Sequence, residues 1–184
     1  MKKILCGLLL LISITLSINC AFATESDNLI SYINQCRIGY MTERLNADSD
    51  FVDSMFFTFS SEVEGDEFYR SMLNETIMIT TENGEIVEVF YITPVAYPLP
   101  QTEDLEDIAR ILGLVTVVQG CEILYGGADE SASTVANQLI NYLAVKSAGT
   151  IETDNMTLEF HCDYRAFFDP DAFSKYWNYE MTRK

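Results

Sequence analysis

The chain has 184 residues, 48% of them apolar, with 28 acidic and 11 basic side chains, five cysteines and one histidine. This composition excludes a disordered or low-complexity polymer, and the formal charge of −17 excludes binding to nucleic acid by counterion release, because such a surface repels a polyanion. What remains is an acidic globular chain, long enough for one domain with its own hydrophobic core.

The first residues read as a leader. Met1, Lys2 and Lys3 give a positive start, Ile4 to Ile18 is almost wholly apolar, and Ala21, Phe22 and Ala23 supply the small-x-small pattern of a signal-peptidase site. The pattern predicts a signal peptide over residues 1–23, cleaved after Ala23, and a single domain over 24–184. An uncleaved anchor helix is the competing reading, since the apolar run nears the ~20 residues that span a bilayer, but Asn19 and the small residues after it favour removal. Lipid attachment at Cys20 lacks the preceding leucine and small residues. Cleavage would remove two bases and no acid and bring the charge to −19. The expected location is periplasmic or extracellular, with no stable membrane insertion. Such a surface suits a cationic protein partner and disfavours nucleic acid and anionic membrane faces. Cys6 and Cys20 leave with the leader, so Cys36, Cys121 and Cys162 meet an oxidising space in odd number. One bridge at most can form, three pairings stay open, and the absence of C-x-x-C gives no support to a thiol oxidoreductase.

In chain order, Leu29, Ile33, Cys36 and Tyr40 recur at helical spacing over Asn28 to Leu45, with Asp27 as the cap and Cys36 facing the core. Asn46, Asp48 and Asp50 have the alternating acids of a calcium loop, yet Phe51 stands at the glycine position and Phe57 at the closing glutamate, which rejects an EF-hand. Two strands follow, around Met55 to Phe59 and Phe68 to Leu73. Thr76 to Glu82 and Glu85 to Thr93 flank Asn83 and Gly84, a strong hairpin signal, and complete a four-stranded antiparallel meander. A regular two-residue turn sets Ile77 opposite Phe90, Met78 opposite Val89, Ile79 opposite Glu88 and Thr80 opposite Val87. Ile77, Ile79, Ile86, Phe90 and Ile92 then form the face that meets the helices, while Met78, Val87, Val89 and Tyr91 form the other.

Pro94, Pro98 and Pro100 mark an extended connector. A helix capped by Thr102 is expected next, with Leu105, Ile108, Leu112 and Val115 buried, and the apolar run from Gly113 to Leu124 makes it the central helix, ending before Gly126 and Gly127. A second helix is expected over Ser131 to Lys146, with Val135, Leu139, Tyr142 and Leu143 inward. Another hairpin follows, its second strand turning Met156, Leu158, Phe160, Cys162 and Tyr164 to one side. Asp169 and Pro170 open a short closing helix carrying Phe173, Tyr176, Trp177 and Met181.

No residue set commits the chain to catalysis. His161 is the sole imidazole, and on its strand it lies between Glu159 and Asp163, whose charges favour its protonated form and weaken it as a base. Those three residues, the acids Glu62, Glu64, Asp66 and Glu67 around Gly65, and an irregular site at Asn46, Asp48 and Asp50 are the places open to a divalent cation, and a solvated strand face, turn and loop account for all three. No phosphate loop, nucleophile elbow or dinucleotide fingerprint occurs. No catalytic residue, metal ligand or cofactor is therefore assigned. The expected fold is α+β, an antiparallel sheet covered by helices on one face, with the other face as contact surface. The expected function is that of an exported, non-catalytic binding protein meeting a cationic protein partner, with Met78, Val87, Val89, Tyr91, Tyr176 and Trp177 as candidate binding residues. A small exported hydrolase using paired carboxylates or Ca2+, and a subunit of an envelope assembly, are the alternatives.

Overall fold

The computed structural model describes residues 24–94, 104–166 and 173–184, with the backbone alone at 163–166 and 173–176. The leader, Pro98 and Pro100 of the connector, the Thr102 cap and the Asp169–Pro170 helix opening lie outside the described residues.

Helix α1 spans Glu25–Leu45. The Asp27 amide donates to the Thr24 hydroxyl while the Thr24 amide donates to the Asp27 carboxylate, so Asp27 closes a capping box whose cap is Thr24. The helix ends at Asn46 in the left-handed region. Asp48 then caps the short helix α2, Ser49–Ser54, by accepting from the Phe51 amide. The alternating acids of this stretch thus serve backbone termini. The buried stripe of α1 is Leu29, Ile30, Ile33, Arg37, Tyr40 and Met41, and Cys36, expected inward, is half-buried at its margin.

Strands β1 (Thr58–Val63) and β2 (Asp66–Arg70) turn at Glu64 and Gly65, and β3 (Thr76–Glu82) and β4 (Glu85–Thr93) turn at Asn83 and Gly84, with positive φ at all four turn residues. The acidic group at Gly65 is therefore a two-residue hairpin. The β3–β4 register departs from the regular one: Thr81 faces Ile86 but Thr80 faces Glu88, leaving Val87 as the extra residue of a bulge. Ile77 consequently pairs with Tyr91, Met78 with Phe90 and Ile79 with Val89. Because side chains alternate, the single extra residue exchanges the two faces of β4 beyond it.

Helix α3 (Leu105–Leu124) is capped by Asp104, and helix α4 covers Asp129–Leu143. Leu112 to Glu122 is buried without interruption, as a central helix requires, while Leu105 at the start is exposed. Strands β5 (Ala148–Glu152), β6 (Met156–Ala166) and β7 (Phe173–Arg183) follow. The segment expected as a closing helix is thus the long strand β7. Its Trp177, Tyr179 and Met181 alternate and are all buried, and pairing with β4 on one side and β6 on the other outweighs the helical spacing of Phe173, Tyr176 and Trp177.

The chain is an α+β fold with one antiparallel seven-stranded sheet among the described residues, ordered β1-β2-β3-β4-β7-β6-β5. Strand β7 joins the meander to the later hairpin. Helix α3 lies between α1 and α4, and the three pack on one face of the sheet. There Ile77, Ile79, Val89, Tyr91, Leu158, Phe160, Trp177 and Met181 meet Leu114, Val117, Val118, Cys121 and Leu139. Full burial of each such aliphatic or aromatic side chain is worth about 1.5–3 kcal/mol. No disulfide joins Cys36, Cys121 and Cys162. Among the described residues no helix is long and apolar enough to cross a membrane.

Candidate functional site

Among the described residues, two clusters of hydrogen-bonded polar side chains are buried. In the first, Arg37 and Glu75 form an ion pair of 2.7 Å with neither side chain exposed. Arg37 also donates to the carbonyls of Met55 (2.9 Å) and Ala109 (3.2 Å), and its guanidinium stands 5.0 Å from the centre of the Phe57 ring. Glu75 accepts from Ser71 (2.7 Å) and from the Tyr91 hydroxyl. Burial first, and the neighbouring Glu75 second, hold the Tyr91 phenol well above its ordinary value, so it is a neutral donor. Helix α3 seals the cluster at Gly113, where an added Cβ would lie 2.7 Å from Glu75 Oε1 and 2.9 Å from the Tyr91 oxygen. In the second cluster, buried Glu122 accepts from Ser131 (2.6 Å), Asn155 (2.9 Å) and Thr153 (2.8 Å), which ties α3 to the start of α4 and to the β5–β6 turn. In both, neighbouring polar groups hold the buried charge, and Arg37 Nε is the one guanidinium nitrogen of the first cluster without a hydrogen-bond partner.

The face of the sheet that no helix among the described residues covers is different. The bulge at Val87 sets its composition by turning Glu88, Phe90 and Ile92 outward and Ile86, Val89, Tyr91 and Thr93 inward. One row across the strands reads Phe68, Met78, Phe90, Glu180, Glu159, and the next reads Thr80, Glu88, Thr182, Thr157. Thr80 donates to Asp66 at 2.8 Å, which places that acid beside Glu88. Neighbouring strands lie about 4.8 Å apart, so the face carries an apolar corner on β2 to β4 and an acidic one on β4, β7 and β6. Phe68, Met78, Phe90, Ile92, Glu88 and Glu180 are half-buried, Glu159, His161 and Thr182 are exposed, and Asn178 is buried.

Like charges meet here. Glu159 stands directly opposite Glu180, and Glu88 lies diagonal to Glu180 across β4 and β7. The Glu88 carboxyl is held above the usual carboxylate range by partial burial, then by its hydrogen bond and charge contact with Glu180, then by Asp66. Acids set against one another on a sheet face cost stability, so this arrangement is not explained by folding.

Of the candidate binding residues, Met78 lies on this face and Val87 is the half-buried bulge residue. Val89, Tyr91 and Trp177 are corrected: they are 0%, 0% and 2% exposed, because the bulge and the strand geometry of β7 turn them into the core. Tyr176 stands on the β7 backbone opposite Asp163 rather than on a helix. Phe68, Phe90, Ile92, Glu88 and Glu180 belong to the face and were missed. Their signal is the period-2 alternation itself, which points to them once the extra residue is counted. Among the described residues no group of three His, Cys, Asp or Glu side chains is arranged to hold a metal ion. A scan against protein-family models finds no matching family, and searches of curated proteins and of solved structures find no match.

Proposed function

We propose that the protein is an exported, non-catalytic binding protein that captures a cationic, partly apolar protein segment on the helix-free face of its sheet. The observation that carries this reading is the juxtaposition of the Phe68, Met78, Phe90 and Ile92 corner with the acids Asp66, Glu88, Glu180 and Glu159. The apolar corner supplies contact area, and the acids select a partner of opposite sign within a chain of net charge −17. Residues 1–23 support export by the pattern of a cleavable leader.

The test is capture of partners from envelope and culture fluid by the protein lacking residues 1–23, at low and high salt. Basic proteins held at low salt, released at high salt, and lost from a Phe90→Lys/Glu180→Lys variant are the expected result. Capture that ignores both salt and the double substitution would refute the reading.

A further inference from the structure

Two Asn-x-Ser/Thr triplets occur in the chain, Asn74-Glu75-Thr76 and Asn155-Met156-Thr157, and the fold treats their asparagines differently. Such a triplet is the acceptor pattern for an N-linked glycan in an exported protein, and it suits a surface loop whose asparagine amide reaches solvent. Asn74 is exposed in the turn between β2 and β3, with φ at 62°. The Ser71 amide closes that turn by donating to the Glu75 carbonyl at 3.2 Å. Among the described residues no hydrogen bond or ion pair engages the Asn74 side chain. Asn155 stands just before β6 as Asn74 stands just before β3, but it is half-buried. Its side-chain nitrogen donates to buried Glu122 at 2.9 Å, and its side-chain oxygen lies 3.8 Å from where a Cβ on Gly126 would stand.

We infer that Asn74 carries an N-linked glycan and that Asn155 of the folded chain stays bare. In the transfer, a bond forms between Asn74 Nδ2 and the first carbon of the sugar. The bond from that carbon to the diphosphate of a lipid-linked oligosaccharide breaks, and one amide proton leaves to a base of the transferase. At Asn155 the same step would take one of the two N–H groups from an amide that holds Glu122, and would set a sugar ring against α3 and the loop at Gly126. A chain modified there loses the tie between α3 and the β5–β6 turn, whereas one modified at Asn74 keeps every contact of the fold. The surroundings of Asn74 also suit a glycan. Met72, two residues earlier in the same turn, is 81% exposed, the most open large apolar side chain among the described residues, and a hydrated oligosaccharide beside it screens it from other chains. Positive φ alone suits glycine better than asparagine, and glycine would lack the acceptor nitrogen. This inference rests on the export proposed above, since the acceptor pattern is used in exported chains, and is independent of the docking face.

The experiment isolates the protein from its own host, reads its N-terminal residue, and maps its peptides by mass spectrometry before and after treatment with a peptide N-glycosidase. The expected result is a chain beginning at Thr24 whose Asn74 peptide carries hexose and hexosamine mass. The glycosidase should remove that mass and leave an aspartate at the acceptor position, and the Asn155 peptide should have its unmodified mass throughout. Asn74→Gln should abolish the glycan. Thr76→Val should abolish it too, because it removes the hydroxyl while keeping the branched shape of a strand residue, and Thr76→Ser should retain it. All three variants should keep native Trp177 emission. An unmodified Asn74 in a chain that has lost residues 1–23, a glycan on Asn155, or a glycan that survives Thr76→Val would each overturn the assignment and leave export standing. A chain recovered inside the cell with residues 1–23 attached would overturn export and the glycan together, and the N-terminal residue tells that failure from the others.

Discussion

Replacing Arg37 by methionine tests whether the sealed ion pair holds helix α1, helix α3 and the sheet together. The substitution keeps the apolar stem that packs near Phe57 but removes the charge partner of Glu75 and the donors to the Met55 and Ala109 carbonyls. Glu75 would then sit fully buried with two neutral donors, the hydroxyls of Ser71 and Tyr91. Removing one partner of a buried pair costs about 3–5 kcal/mol, because the charge left behind keeps its desolvation penalty. A domain of this size is stable by about 5–15 kcal/mol, so the variant should survive but unfold at a much lower urea concentration. Trp177, the single tryptophan and 2% exposed, reports the transition by fluorescence. The double variant Arg37→Met/Glu75→Gln removes the stranded charge while keeping an acceptor for Tyr91 and Ser71, and should recover at least half of the loss. An Arg37→Met protein within about 1 kcal/mol of wild type, or a double variant no better than the single one, would refute the reasoning.

Gly113→Ala forces a methyl group against Glu75, Tyr91 and the Arg37 guanidinium carbon at 3.3 Å or less, and should lower stability by about 1–3 kcal/mol in the same urea assay. Glu88 is held above its ordinary value of 4.5, so its contribution to stability is complete below that value and is lost as pH rises through the raised one. Glu88→Gln should therefore be the more stable protein near neutrality, by about 0.2–1 kcal/mol given its partial exposure, with the difference vanishing toward pH 4. Cys121 is fully buried with its thiol pushed far up by burial, and should react with a disulfide reagent only on global unfolding, whereas half-buried Cys36 should react sooner. Deleting Val87 leaves Ile86 inward, Glu88 outward and Val89 inward beside an unbulged Thr81–Thr80 partner strand, so the variant should keep native Trp177 emission; loss of the fold would refute the bulge assignment.

Much of the architecture can be read from short-range chemistry. The Asn83–Gly84 hairpin follows from the two positive-φ positions it needs, and the central helix follows from an apolar run too continuous for a surface element. Alternation on β6 places Met156, Leu158 and Phe160 in the core, as expected. What fails is whatever depends on a partner distant in sequence. Residues Phe173 to Arg183 satisfy helical and strand periods almost equally, and the strand prevails because β4 and β6 each offer it a ladder. Neither ladder is visible locally. Arg37 lies at helical spacing from Ile33 and Tyr40, on the buried stripe, which is a signal for a buried cation; its partner Glu75 is 38 residues away beside a turn and carries none.

The outward face of the sheet illustrates the sharpest of these limits, because one residue decides it. Counted without a bulge, β4 shows Val87, Val89 and Tyr91 to solvent and hides Phe90 and Ile92. With Val87 set aside, Glu88, Phe90 and Ile92 face outward, and Val89 and Tyr91 become core. Nothing in the composition of Glu85 to Thr93 separates these two arrangements, since both alternate apolar residues with a single acid. The discriminating interaction lies outside the strand. Tyr91 must reach Glu75, whose charge Arg37 fixes beneath helix α3, and that requires the inward parity. The buried ion pair thereby positions the acidic and apolar groups of the opposite face. A variant that disrupts the Arg37–Glu75–Tyr91 cluster should weaken the salt-sensitive capture proposed for a face that none of the three residues touches, read by the same pull-down at low and high salt.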